Sequence, residues 1–172
     1  MSMILSYIQA RPLLDARKSG QTIVETSTDL GMSSSSATLS DEGVSFATGE
    51  RLDWGSVEKI SESEVKCYVI SEQGIEPVQV FSEATGRVCS LLPTRGAPSM
   101  LIAGFVMHRI KDIDPWQHAQ CMIAAITPVS GSVLDTTTGL GYTTILAART
   151  AESVTTIELD PGAQGIARLN PW

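Results

Sequence analysis

The sequence is poor in the residues that build metal and disulfide sites. Its 172 residues include three cysteines and two histidines. Cys67, Cys89 and Cys121 are widely spaced and form no Cys-x-x-Cys pair, which argues against a zinc knuckle and against a disulfide framework. Because His108 and His118 are the whole histidine content, we expect no histidine-rich metal site and predict no bound metal.

Basic residues are also scarce: Lys and Arg number 12 against 19 Asp and Glu, for a formal net charge of −7. Nucleic-acid binding relies on basic groups that neutralise phosphates, so this balance argues against a nucleic-acid partner. No apolar run reaches the ~20 residues that span a bilayer, and no Lys or Arg precedes Arg11, as a signal peptide would require. We therefore expect a soluble, cytoplasmic protein without a membrane partner. Hydrophobic residues at 42% and charged residues at 18% exclude wholesale disorder.

The residue pattern changes near position 112. Before it, strand signals dominate. Thr38–Phe46 is typical of a hairpin with Gly43 at positive φ in its turn, Val65–Ser71 and Ile75–Phe81 are β-branched, aromatic-bearing runs, and a third run, Arg87–Leu92, stops at Pro93. Short strands at such spacing predict a small antiparallel β-rich module over residues 1–111.

After position 112, helical and strand patterns alternate. Asp114-Pro115 predicts a helix start. Asp can cap the first turn, and Pro fits there because the N–H that it lacks would have no partner at that position. Strands are predicted at Ser132–Asp135 and Val154–Leu159, with helices between and after them. This order is typical of the opening of a parallel α/β sheet, so we expect residues 112–172 to form a second, partial domain of an α+β protein.

A glycine turn follows the first of these strands. The strand ends in Asp135, and Gly139 and Gly141 lead into a helix, where glycine lets a ligand approach the backbone. Glu158 lies nineteen positions beyond Gly139, where a carboxylate can accept hydrogen bonds from a ribose diol. The pattern predicts a nucleotide-containing ligand. Thr144 occupies the third glycine position of the dinucleotide fingerprint, which argues against a dehydrogenase.

The stretch Val133–Tyr142 resembles the first motif of S-adenosylmethionine (SAM)-dependent methyltransferases with the Rossmann-like fold, and Glu158 matches the acid of that family's second strand. One group of predicted methyltransferases, which carries a small β-rich extension ahead of its methyltransferase domain, is similar over further segments: Gly86–Val88, Pro93-Thr94, Met107–Lys111, Asp114-Pro115, Ile157–Pro161 and Ala167–Trp172.

The resemblance implies a Rossmann-like parallel sheet over residues 112–172 and SAM as cofactor. Asp135, Gly139 and Gly141 would line its methionine and ribose side, Glu158 would hold the ribose hydroxyls, and Leu159 would lie beside the adenine.

The same motif places Tyr142 in the predicted cofactor site. The sequence departs from the family at Thr137, where the first glycine of a Gly-x-Gly-x-Gly motif is usual.

The catalytic candidates lie in Met107–Lys111, ahead of the first helix of this domain. His108 could act as a general base or contact the substrate. Arg109 and Lys111 could meet a carboxylate of SAM or of an acidic substrate. The alternative is a basic surface segment that pairs with nearby aspartates and contributes little.

A complete sheet of this family has more strands than the two found here, so we expect a chain truncated after the second strand. It would be a fragment, a truncated paralogue, or a subunit that a second chain completes, for example in a homo-oligomer. The leading hypothesis is a SAM-dependent methyltransferase, or a truncated SAM-binding relative, with an unknown acceptor. The alternatives are a non-catalytic interaction protein with a relic SAM-binding turn and an aminopropyl transferase related to spermidine synthases.

Overall fold

The computed structural model describes residues 3–71 and 73–172, and the chain divides into two compact units. The first unit contains the chain up to Val78, together with Leu92–Gly96 and Pro171. The second unit contains Gln79–Leu91, Ala97–Asn170 and Trp172. Residues 79–91 and 97–111, which the sequence prediction assigns to the N-terminal module, belong to the second unit.

The first unit has two antiparallel sheets and two helices. One sheet has the order β1-β6-β7 and the other the order β2-β3-β4-β5. In chain order the elements are β1 (Met3–Ser6), α1 (Tyr7–Lys18), β2 (Ile23–Thr26), β3 (Ser35–Leu39), β4 (Gly43–Phe46), β5 (Arg51–Asp53), α2 (Trp54–Ser61), β6 (Cys67–Ser71) and β7 (Gly74–Pro77).

Side-chain caps begin both helices of the first unit. Ser6 Oγ accepts a hydrogen bond from the Ile8 N–H at 3.3 Å, and Gln9 Oε1 accepts one from the Ser6 N–H at 3.0 Å, a capping box. Asp53 caps α2 by accepting the Ser56 N–H at 2.9 Å. The strand-dominated prediction for residues 1–111 omits both helices.

The predicted hairpin is confirmed, because β3 and β4 pair antiparallel with Leu39 opposite Val44. The reason predicted for Gly43 is wrong: Gly43 is absent from the positive-φ residues of the described chain. A Cβ added there would lie 2.1 Å from the backbone oxygen of Leu52 on β5. Glycine is therefore needed for the close approach of the neighbouring strand.

The second unit contains a four-stranded sheet in the order β11-β10-β9-β8, a two-stranded parallel sheet and three helices. Its elements are β8 (Gln79–Ser82), β9 (Arg87–Leu92), β10 (Ser99–Ile102), β11 (Phe105–Val106), α3 (Pro115–Ala125), β12 (Ser132–Asp135), α4 (Tyr142–Ala147), β13 (Ser153–Thr156) and α5 (Pro161–Leu169). Across the described residues, no helix combines the length and the apolar character that crossing a bilayer demands.

The predicted Rossmann-like parallel sheet is wrong. Strands β12 and β13 do pair in parallel, with Val133 opposite Val154, but their sheet has two strands, and the other sheets of the described chain are small and antiparallel. The local elements were predictable: Asp114 caps α3, and β12 spans Ser132–Asp135. A strand–helix–strand pattern fixes only one parallel pairing, and it does not determine whether further strands extend the sheet.

Candidate functional site

The turn after β12 is held by the Asp135 carboxylate. Its Oδ1 accepts the Thr137 N–H at 3.1 Å. Its Oδ2 accepts the hydroxyls of Thr143 and Thr144 at 3.0 and 2.6 Å. Asp135 therefore ties the end of β12 to the turn and to the start of α4. The two threonines also explain why a glycine is not required at position 144, since the Thr144 hydroxyl is used as a donor.

Both glycines of the turn adopt left-handed backbone conformations, with φ of +52° at Gly139 and +83° at Gly141. A side chain at either position would be strained. A Cβ added at Gly139 would meet no atom within 4 Å. The backbone is therefore open on that side, which is the condition for close approach of a ligand.

Glu158 joins the segment after β13 to this turn. Its Oε2 accepts the Gly139 N–H at 2.9 Å, and its Oε1 accepts the Asp160 N–H at 3.1 Å. The backbone continues the connection, because the Thr138 N–H donates to the Ile157 carbonyl at 3.0 Å. A carboxylate has about four acceptor positions, so Glu158 retains capacity for hydroxyl groups of a ligand.

A cavity of about 430 Å³ lies against the turn and Glu158, within the size range of small-molecule sites, roughly 300–1,000 Å³. Its lining combines apolar, aromatic, basic and acidic side chains from the second unit: Met100, Ile102, Met107, His108, Arg109, His118, Ala119, Met122, Thr137, Thr138, Gly139, Tyr142, Thr143 and Glu158.

The structure brings five of the eight predicted site residues to this cavity: His108, Arg109, Gly139, Tyr142 and Glu158. The other three, Asp135, Gly141 and Leu159, are not among its described lining residues. Asp135 instead lines a neighbouring cavity of about 370 Å³, which shares Thr137 and Thr143 with the first. The side chain of Leu159, predicted beside an adenine, is 88% exposed.

Met100 and Met122 of the lining were not predicted from the sequence, and His118 was predicted to have no functional role. A signal was available on α3, because His118 and Met122 are four residues apart and therefore share one helical face. The contribution of Met100 on β10 depends on tertiary packing, which leaves no local sequence signal.

His108 is fixed in position on one side of the cavity. Its Nδ1 lies 3.0 Å from the Oγ of Ser99, a fully buried residue of β10. Its ring packs against the ring of Tyr142, with 5.6 Å between the ring centroids and 56° between the ring planes. Burial lowers the pKa of His108, and electrostatic interaction with His118 lowers it further. The imidazole is therefore neutral near pH 7.

Tyr142, predicted as a cofactor contact, is buried, and its hydroxyl makes two hydrogen bonds. The hydroxyl donates to the Pro98 carbonyl at 2.8 Å and accepts from Asn170 Nδ2 at 3.1 Å. Trp116 packs edge-on against the Tyr142 ring, with 5.8 Å between the ring centroids. Tyr142 thus forms a rigid wall that supports His108.

Arg109 lines the cavity without a carboxylate partner. Within residues 3–71 and 73–172, the ion pairs join Arg11 to Glu64 and Lys18 to Asp15. The predicted alternative, a surface pairing of this segment with aspartates, is therefore not found there. Asp114 caps α3 instead, accepting the Trp116 N–H at 2.8 Å.

The chain was compared with protein-family models and with curated proteins. No protein-family model matches the sequence. The chain is 32% identical over 117 residues to an uncharacterized protein of Methanocaldococcus jannaschii. The match covers 67% of this chain and 39% of that relative, so the chain spans about two-fifths of the relative's length.

Proposed function

We propose that this chain binds S-adenosylmethionine in the cavity beside Gly139 and Glu158 and functions as a SAM-dependent methyltransferase with an unassigned acceptor. One observation carries the proposal: the Glu158 carboxylate accepts the Gly139 N–H at 2.9 Å at the edge of that cavity. The proposal depends on this site and on the motif around it. It does not depend on the predicted Rossmann-like sheet, since the parallel sheet of the structure has two strands.

The residues around the turn suit an adenosyl ligand. Glu158 has acceptor positions left for the two ribose hydroxyls. Gly139 leaves its backbone open on the side where a Cβ would project. The methionines and Ile102 in the cavity lining offer apolar contact to an uncharged ring.

Methyl transfer requires little acid–base chemistry from the protein. Bound SAM supplies a methyl group already activated by its sulfonium. The chain would hold the ribose through Glu158, exclude water with the apolar lining, and align the acceptor with the methyl carbon. We place this activity in the cytoplasm, without a membrane or nucleic-acid partner.

Calorimetric titration of the chain with SAM tests the proposal, with NAD as the comparison ligand. We expect SAM to bind and NAD not to bind. Glu158→Ala should weaken SAM binding by roughly 10-fold or more, because hydrogen bonds to a charged group contribute about 1.5–3 kcal/mol. Glu152→Ala is the matched control, since Glu152 is an exposed carboxylate outside the cavity. Absence of SAM binding by a folded sample would contradict the proposal.

An aminopropyl transferase would use decarboxylated SAM in the same cavity. A titration with both forms separates the two enzyme classes. We expect the methyltransferase to prefer SAM, whereas a clear preference for decarboxylated SAM would favour the aminopropyl transferase.

Exposed apolar side chains favour a second candidate, a non-catalytic interaction protein. Leu134 on β12 is 60% exposed and Ile157 after β13 is 51% exposed, so part of this region offers apolar surface to a partner. That function predicts a stable assembly, such as a homo-oligomer, that is indifferent to SAM. Sedimentation velocity with and without SAM measures this property.

A further inference from the structure

The cavity is lined by side chains that can donate hydrogen bonds, called here the donor side, as well as by the acceptor carboxylate of Glu158. His108, Arg109 and His118 all contribute to its lining. Of these three side chains, His108 is the one that a hydrogen bond among the described residues holds in place, through the 3.0 Å contact between its Nδ1 and Ser99 Oγ. The protonation pattern of that contact determines what His108 offers to a ligand.

The Ser99 hydroxyl decides the tautomer of His108. Ser99 is fully buried, and His108 Nδ1 is the partner of its hydroxyl among the described residues. A buried hydroxyl hydrogen without an acceptor costs about 1–3 kcal/mol. Donation from Ser99 Oγ–H to Nδ1 avoids this cost. The single ring proton of the neutral imidazole is then on Nε2, which has no hydrogen-bond partner in the described part of the chain.

Arg109, the next residue in the chain, adds a positive charge to the lining of the same cavity. No carboxylate of the described residues lies within 4.0 Å of its guanidinium. A guanidinium presents a fork of N–H donors that matches the two oxygens of a carboxylate. The neighbouring His108 supplies a neutral donor, so the pair combines a charge with a directed hydrogen bond.

We propose that His108 and Arg109 form a carboxylate-binding subsite of the cavity, in which His108 donates Nε2–H and Arg109 supplies the charge. This inference deepens the proposed function and rests on it for the adenosyl part of the ligand. The carboxylate has two sources: the amino-acid part of the cofactor or a separate acidic acceptor. In either case His108 is a ligand contact, and its Nε2 is not the base that removes a proton.

A first experiment compares S-adenosylhomocysteine with 5′-methylthioadenosine, which lacks the amino-acid part, by calorimetry. We expect the wild type to prefer S-adenosylhomocysteine by roughly 10-fold or more, as a charge-assisted hydrogen-bond pair would give. Arg109→Gln and His108→Ala should remove this preference, measured as the ratio of the two affinities within each variant. His108→Gln keeps an N–H donor and should retain part of the preference. Lys111→Gln is the control, since Lys111 is exposed and outside the described lining.

A second experiment titrates malonate and follows the protein by NMR, alone and with 5′-methylthioadenosine present. If Arg109→Gln leaves the preference for S-adenosylhomocysteine intact but weakens malonate binding, the carboxylate belongs to an acidic acceptor. If neither substitution affects either ligand, the subsite is overturned. Failure of 5′-methylthioadenosine to bind the wild type contradicts the proposed function, whereas the malonate titration still decides the subsite.

The tautomer has its own test in long-range ¹H–¹⁵N spectra of the histidine rings. At pH 7.5 we expect the Nε2–H form of His108 in the wild type and a mixture of tautomers in Ser99→Ala. A dominant Nδ1–H form in the wild type would overturn the assigned donor.

Discussion

The core of the first unit and the glycine turn of the second unit are stabilised in different ways. The core is apolar: Leu5, Leu13, Val57 and Ile60 are all fully buried. The turn is held by the carboxylates of Asp135 and Glu158 and by two glycines at positive φ, next to strands that leave apolar side chains exposed. Burial dominates folding free energy, whereas directed hydrogen bonds fix geometry. Substitutions in the core should therefore affect global stability, and those at the turn should affect local order and binding.

The largest expected effect is that of Gly43→Ala in the first unit. The new Cβ would lie 2.1 Å from the Leu52 carbonyl oxygen, so β4 and β5 would have to separate. We expect a loss of more than about 3 kcal/mol in the free energy of unfolding, measured by chemical denaturation. Gly49→Ala is the control, because its Cβ would meet nothing within 4 Å and only its positive φ of 101° is strained. Equal losses in the two variants would refute the clash.

A smaller effect is expected from Asp135→Ala at the turn. The substitution removes the acceptor for the Thr137 N–H and for two threonine hydroxyls, at a cost of about 2 kcal/mol. Amide hydrogen exchange should show faster opening of the turn, including the Gly139 N–H, with little change in the first unit. Asp135→Asn keeps one side-chain oxygen and should cost less. Uniform loss of protection across both units would contradict a local role for Asp135.

His108 should make stability depend on pH in a defined direction. Its folded-state pKa lies below the unfolded value of about 6.5, so the unfolded chain takes up the proton first as pH falls. The stabilisation is present above pH ~6.5 and is lost as pH falls through the folded pKa. Denaturation at pH 7.5 and 5.5 should show a larger loss for the wild type than for His108→Gln. The same loss in both proteins would show that His108 does not cause it.

The smallest effect is expected from Leu134→Thr on β12. The leucine side chain is 60% exposed, so shortening it should change the free energy of unfolding by less than about 0.5 kcal/mol. If the chain self-associates through this surface, the same substitution should weaken the assembly in sedimentation velocity. A large loss of monomer stability would show that Leu134 is part of a core.

Local signals in the sequence predicted individual elements but not their wider pairing. The Asp114-Pro115 start, the hairpin around Gly43 and the strand Ser132–Asp135 were all readable because each depends on a few adjacent residues. Helix α1 was missed although Ser6 and Gln9 form a capping box; Pro12 lies inside it, and proline is unusual in a helix interior. The pairing of β1 with β6 joins residues more than sixty positions apart, such as Met3 with Ile70, and no local pattern encodes it.

The candidate site was predictable in the same partial way. The turn glycines and Glu158 belong to one strand–helix–strand segment, so their spacing could place them together. The donor side depends on packing: Ser99 comes from β10, and its contact with His108 could not be foreseen from either segment. The structure also gives Asp135 and Tyr142 supporting contacts that explain their positions without a ligand.

The central claim is that the carboxylate at Glu158 and the open backbone at Gly139 hold the ribose of SAM. The most direct measurement is the calorimetric affinity of SAM for the wild type, Glu158→Ala and the control Glu152→Ala. The account predicts binding by the wild type and the control and a loss of roughly 10-fold or more in Glu158→Ala. Equal SAM affinity in all three proteins, or no binding by the folded wild type, would contradict it.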